Sequence, residues 1–353
     1  MRSFYENHIY GKWREGENVS FKHVPKKGKL PEPPKNGFFF PTDFEDADKI
    51  KISVSTENGR RGDFDVNFFI PEKKNGKCPV IICMHPIFGK EYALEKGYAL
   101  VFLNATQIAS DDMAHNGAFY KLYPYEEQQT GVLMAWAWGA SKVLDALEAG
   151  LADEYNIDTN SAILTGVSRY GKATAVGAAF EKRFRMFAPA CSGAGGLALY
   201  SVVSEGKTYD LTGVGGPANY TYSKNEPLSC LQSETERGWF VDKFLDYKSP
   251  EEIPYDQDNL VTMAMSEERY YFLIAACMNE DWVNAPAMWE CYKRALKTYE
   301  SAGLRDHLVC HFHKEGHAVL EEDLKLMISY FNKMHYGLDE QVDFDALHTS
   351  VFE

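Results

Sequence analysis

A strand-like run, Ile163-Leu-Thr, leads into Gly166-Val-Ser168-Arg169-Tyr-Gly171-Lys172 and then into a helix-forming stretch. A serine at a strand-to-helix turn is lifted clear of its neighbours, and flanking glycines let other backbone come close. Its hydroxyl is then exposed. The next N–H, at a helix N-terminus, faces an oxyanion developing on a bound carbonyl. That is the chemistry of an acyl-transferring nucleophile. The usual spacing is Gly-x-Ser-x-Gly, and here the second glycine comes one residue late. A serine in this place also serves as a plain helix N-cap. The strand–turn–helix setting favours the nucleophile.

Such a serine needs a base, and the base needs an acid to orient it. His317, in Lys314-Glu-Gly-His317-Ala, follows the strand-like run His307–His313 and precedes a helix, so it is the candidate base. The acid is sought after the preceding strand, Tyr270–Cys277, where Met278-Asn-Glu280-Asp281-Trp282-Val-Asn284 lies. Asp281 is read as the acid and Glu280 as its alternative. Either also suits a solvated charge at a helix N-terminus. His311 and His313 alternate on one strand, a conceivable metal pair, but no third ligand is evident and no metal is expected. His85-Pro86 reads as loop structure.

The elements that must position these groups alternate. Ile50–Thr56, Phe64–Ile70, Pro79–Met84, Tyr98–Asn104, Asn160–Thr165, Phe184–Pro189, Tyr270–Cys277 and His307–His313 have strand character. Gly131–Leu147, Gly171–Lys182, Ala287–Ser301 and Leu320–Met334 read as helices. Strand and helix in turn imply a mostly parallel central sheet with helices on both faces. With the order serine, acid, histidine, this is the α/β-hydrolase fold. One domain is read over residues 1–336. Residues 1–36 form an N-terminal arm, extended from Val24 through Lys35. Residues 192–260 are long loops over the active site with a short helix near Trp239–Tyr247. Residues 337–353 form a peripheral acidic tail.

Composition narrows the partners. The chain has 353 residues, with 37 Lys plus Arg against 51 Asp plus Glu, a net charge of −14. Nucleic acid and anionic membranes need a basic face and are not expected partners. No apolar run opens the chain, and the seven cysteines are scattered without a CxxC. These features suggest reduced thiols and a cytoplasmic protein.

Taken together, the motifs resemble the glucuronoyl esterases, carbohydrate esterase family fifteen. Gly166-Val-Ser168-Arg169-Tyr-Gly171-Lys172 is similar to that family's Gly-Cys-Ser-Arg-x-Gly-Lys, and Ala135-Trp-Ala-Trp-Gly139 to its tryptophan helix. Ser192-Gly-Ala-Gly-Gly196, Trp239-Phe240 with Phe244 and Tyr247, Ile253-Pro-Tyr-Asp256, Asp281-Trp282 and Gly316-His317-Ala318 match further blocks in order. The resemblance implies hydrolysis of a 4-O-methyl-glucuronic acid ester without cofactor, the substrate being a carbohydrate uronic-acid ester such as joins xylan to lignin. Ser168 is then the nucleophile, His317 the base and Arg169 the oxyanion partner. Lys172, Trp282, Glu236 and, less directly, Gln232 are sugar contacts. An acetyl esterase on xylo-oligosaccharides and a non-catalytic carbohydrate-binding relative are the alternatives. Two departures stand out. Many members carry a glutamate where this chain has Cys191, and the fungal disulfide is absent because Val167 precedes the serine and Ala318 follows the histidine.

Overall fold

The computed structural model describes residues 1–25, 44–72 and 76–353. From residue 26 onward, the expected extended arm lies outside the described residues. Nine strands form the main sheet: β1 (Asn18–His23), β2 (Asp48–Ser55), β3 (Arg61–Phe69), β4 (Cys78–Cys83), β5 (Ala99–Leu103), β6 (Ile157–Val167), β7 (Met186–Ala190), β8 (Tyr270–Ala276) and β9 (Leu308–His313). Their spatial order is β1-β2-β3-β5-β4-β6-β7-β8-β9. The pairs β1–β2, β2–β3 and β3–β5 are antiparallel, and every pairing from β5 to β9 is parallel. Six parallel strands therefore end at one edge, where open α/β sheets place their ligands. This is the α/β-hydrolase arrangement expected from the alternation.

The parallel strands are buried on both faces, which is why they read as unbroken apolar runs. Four long helices flank them: α1 (Val132–Ala146), α2 (Arg169–Phe180), α3 (Ala285–Ser301) and α4 (Glu321–Tyr336). Helix α1 is buried almost all round and packs on α2. Its Trp136 indole donates to the Ala109 carbonyl at 2.9 Å. Gly139 makes room for the Ile108 side chain, whose Cδ1 would lie 2.1 Å from a Cβ there. Lys142 of α1 is only 2 % exposed and pairs with Glu17 at 2.8 Å and Asp145 at 2.5 Å. Glu17 also accepts from the Trp138 indole and the Tyr123 hydroxyl. A buried ammonium needs such partners.

Three expectations change. The N-terminal arm is partly built into the sheet: Asn18–His23 adds an antiparallel edge strand, hidden in the sequence because most of its side chains face water. The short helix near 239–247 is two 3₁₀ turns, Arg237–Trp239 and Asp242–Asp246. The C-terminal tail is not peripheral. Leu347 and Phe352 are buried, and His348 contacts the Tyr292 hydroxyl and, at 3.0 Å, Asp306. Substituting Leu347→Ala is therefore expected to cost about 2–5 kcal/mol. An undocked tail would change unfolding in denaturant by less than about 0.5 kcal/mol.

Candidate active site

The candidate nucleophile is held by backbone. Ser168 sits between β6 and α2 with φ 61° and ψ −128°, a conformation that non-glycine residues rarely adopt. Its N–H donates to the Ala190 carbonyl at the end of β7 (2.9 Å), and its carbonyl accepts from Lys172 N–H (2.9 Å). The two motif glycines are steric necessities. A Cβ on Gly166 would lie 2.6 Å from the Tyr170 carbonyl oxygen, and one on Gly171 would lie 2.5 Å from that of Ala190. The late second glycine therefore lets α2 pass close over the end of β7. The first N–H groups of α2 have no partner within the helix and face the sheet edge.

Cys191 follows Ala190, also at positive φ (45°), and is buried. Its thiol lies against the imidazoles of His313 and His317. Ser168 and His317 thus both adjoin the short segment Ala190–Cys191. His85, after β4, senses the charge of His317 and bonds the Pro86 carbonyl, so this loop borders the site.

The acid is where the reading of residues and the structure differ. Glu280 Oε2 lies 2.8 Å from His317 Nδ1, at ion-pair distance but without the alignment of a straight hydrogen bond. Asp281, the residue expected there, does not contact His317. Its carboxylate accepts from Tyr220 hydroxyl (2.6 Å), Ser223 N–H (2.8 Å) and Ser223 hydroxyl (2.6 Å). Burial raises its pKa, but these donors outweigh that and hold it below the usual carboxylate range. The cause is local. Asn279 adopts positive φ, and Asp281 begins a 3₁₀ turn, so neighbouring carboxylates point opposite ways. Burial pulls the His317 pKa down. Cys191 and Glu280 more than reverse this and raise it to about 9.

The remaining predicted residues divide. The Arg169 guanidinium contacts Asp111 and lies 5.3 Å over the Trp239 ring, whose indole donates to the same Asp111 (2.7 Å). Lys172 is buried and donates to the Ala194 carbonyl (2.5 Å) and Glu226 (2.7 Å). Trp282 is half-buried, with its ring 5.6 Å from that of His317. Glu236 joins this cluster. Burial and the nearby Glu226 raise its pKa to about 7 against the pull of Lys172 and Arg169, and its Oε2 is buried without a hydrogen-bond partner. Gln232 is not so placed: its amide N–H groups are engaged by the Phe244 and Tyr247 carbonyls, both at 2.8 Å. Glu226 and Asp111 were missed. Their partners are far away in sequence, and no spacing signals them. His311 and His313 both reach Asp323, at 3.4 and 3.0 Å. Among the described residues no His, Cys, Asp and Glu cluster is arranged to hold a metal ion, and no helix is long and apolar enough to cross a membrane.

A family model described as "Glucuronyl esterase, fungi" matches residues 52–303. The chain belongs to the glucuronoyl esterase family. A multidomain esterase of Ruminococcus flavefaciens is 40% identical over 99% of this chain and 44% of its own length. The 4-O-methyl-glucuronoyl methylesterase of Hypocrea jecorina is 30% identical over 71% of this chain and 50% of its own. The chain thus spans about half the length of these relatives. A solved family-15 glucuronoyl esterase from Caldicellulosiruptor kristjansonii superposes with a TM-score of 0.83 at 30% identity, covering 99% of this chain and 86% of that one. The Hypocrea jecorina catalytic domain, at 24% identity and a TM-score of 0.71, shares the fold.

Within this glucuronoyl esterase family member, Asp281 orders a loop and Glu280 meets the histidine. Replacing Asp281 with Ala strands the Ser223 and Tyr220 donors and is expected to cost about 1–3 kcal/mol, read as a lower denaturant midpoint. The His317 pKa, followed by NMR, should stay put. It should fall in Glu280→Gln, because a positive shift supported by a carboxylate disappears with the charge.

Proposed function

We propose that this chain is a serine esterase that hydrolyses esters of glucuronic acid, with Ser168 as nucleophile, His317 as base and Glu280 as the acid that orients it. The observation that carries the reading is the pairing of His317 with Glu280 beside the segment that also anchors the Ser168 turn. Glu280 takes the place of the expected Asp281. A carboxylate on Nδ1 leaves Nε2 to accept the serine proton. Ser168 Oγ adds to the ester carbonyl as His317 takes its proton. The tetrahedral species collapses, and the alcohol leaves with that proton. Water, deprotonated by the same imidazole, then adds to the acyl-serine and frees glucuronate and the serine hydroxyl.

The N–H groups opening α2 and the Arg169 guanidinium supply positive charge where the oxyanion forms. Asp111 and Trp239 hold that guanidinium in place, and Trp282 walls the site beside the imidazole. Lys172, Glu226 and Glu236 offer both donors and acceptors to sugar hydroxyls. A protonated Glu236, favoured by its raised pKa, donates where an ionised one only accepts.

Ser168→Ala should abolish turnover of methyl or benzyl glucuronate, and a fluorophosphonate should label Ser168 in the native protein. Hydrolysis by the alanine variant at the native rate overturns the proposal. Acetylated xylo-oligosaccharides at equal concentration serve as the competing substrate. Their preferential hydrolysis would assign an acetyl esterase instead. The pH profile has a fixed sign. His317 must be neutral to act, and its raised pKa makes neutrality a high-pH state, so kcat/KM should climb with pH through a midpoint near 9. Glu280→Gln should move that limb to lower pH and cut kcat by roughly 10²–10⁴. Asp281→Asn should leave the limb where it is.

A further inference from the structure

The mechanism leaves one buried polar chain unused. His313, the last residue of β9, is 3 % exposed, and Asp323, in the first turn of α4, is fully buried. His313 Nδ1 lies 3.0 Å from Asp323 Oδ1, and its Nε2 lies 3.0 Å from the Gly316 carbonyl oxygen. Gly316 directly precedes His317 and has φ 116°, a backbone state in which glycine is needed. The other Asp323 oxygen accepts the Leu320 N–H at 2.7 Å. One imidazole thus joins α4 to the backbone that carries the candidate base.

The proton count is decisive. A carbonyl oxygen only accepts. A carboxylate only accepts, and Asp323 Oδ2 already takes the Leu320 N–H at the start of α4. Both ring nitrogens of His313 therefore face acceptors, and both must carry a proton to serve them. A neutral imidazole would leave one buried acceptor facing a lone pair, which is costly in so dry a place. We infer that Asp323 and a doubly protonated His313 are positioning residues, which fix the Gly316 carbonyl and through it the orientation of His317 toward Ser168.

The surroundings fit this charge. The groups facing His313 are Asp323 on α4, Cys191 after β7 and, one step along its own strand, His311. Burial lowers the His313 pKa, but Asp323 and Cys191 raise it overall, to about 10. His311 is shifted the opposite way, chiefly by its own burial and in part by the His313 charge. Two histidines that alternate on a strand and resemble a metal pair are thus accounted for by one carboxylate.

The inference rests on the esterase reading only for its kinetic arm. ¹⁵N NMR of histidine-labelled native protein reads the ring directly, with His313→Gln used to assign the signal. The expected result is two protonated nitrogens on His313 from pH 6 to 8. A neutral tautomer in that range overturns the inference, whatever the enzyme does. In the kinetic arm, Asp323→Asn should lower kcat on methyl glucuronate about tenfold with KM within twofold, because the sugar contacts are elsewhere. Fluorophosphonate labelling of Ser168 should slow to match. His313→Gln, which keeps a donor nitrogen, should recover part of the rate lost in His313→Phe. Native kcat and labelling in a folded Asp323→Asn variant would overturn the positioning role. Inactivity and failed labelling in the native protein would instead remove the esterase reading while leaving the ring's charge measurable.

Discussion

The Ser168 turn is the constraint on which the site depends. A non-glycine residue at φ 61°, ψ −128° costs of order 1–3 kcal/mol and persists only where its surroundings leave no other choice. Here the surroundings are specific. The serine N–H is bonded to β7, and α2 leaves at an angle that only glycine at 166 and 171 permits. The same end of β7 then turns sharply at Cys191, which brings a thiol against two imidazoles. Strand order puts β7 between β6, which leads into Ser168, and β8, which leads to Glu280. One strand end therefore sets the spacing between the Ser168 turn and the Glu280 loop.

Around that point the site is built from matched charges, of which the Lys172–Glu226 and His313–Asp323 pairs are the buried ones. Lys172 has Glu226, Arg169 has Asp111, His317 has Glu280 and His313 has Asp323. Removing one partner of a buried pair is far more damaging than never having had the pair. Such pairs hold side chains in single orientations, which suits chemistry that tolerates little misplacement. Glu236 is the exception. Its raised pKa and unpartnered oxygen leave capacity that a bound polyhydroxyl compound could use.

Much of this was legible in the sequence. The buried parallel strands announced themselves as apolar runs, and the serine turn and the histidine followed from their places after β6 and β9. What escaped notice depends on direction rather than position. Glu280 and Asp281 are neighbours, and which one meets the histidine is set by the backbone at Asn279 and by Ser223 and Tyr220, some sixty residues earlier. No periodicity encodes that. Glu226 and Asp111 were invisible for the same reason, being recognised only by the cations they meet. The edge strand β1 was hidden by its polar side chains, and the tail by acidic residues that surround two buried anchors, Leu347 and Phe352. Gln232 was placed in the site by proximity to Glu236, whereas its amide braces a neighbouring loop.

The Glu17–Lys142 pair ties folding of distant segments together. Lys142 sits in the most deeply buried helix, and its counterion comes from a strap more than a hundred residues earlier. If the strap peels away, an ammonium and two aromatic donors lose their shared acceptor at once. The strap therefore cannot fray as an independent surface segment. Its opening and the loosening of α1 belong to one cooperative unit, with one shared opening free energy for the amides of both.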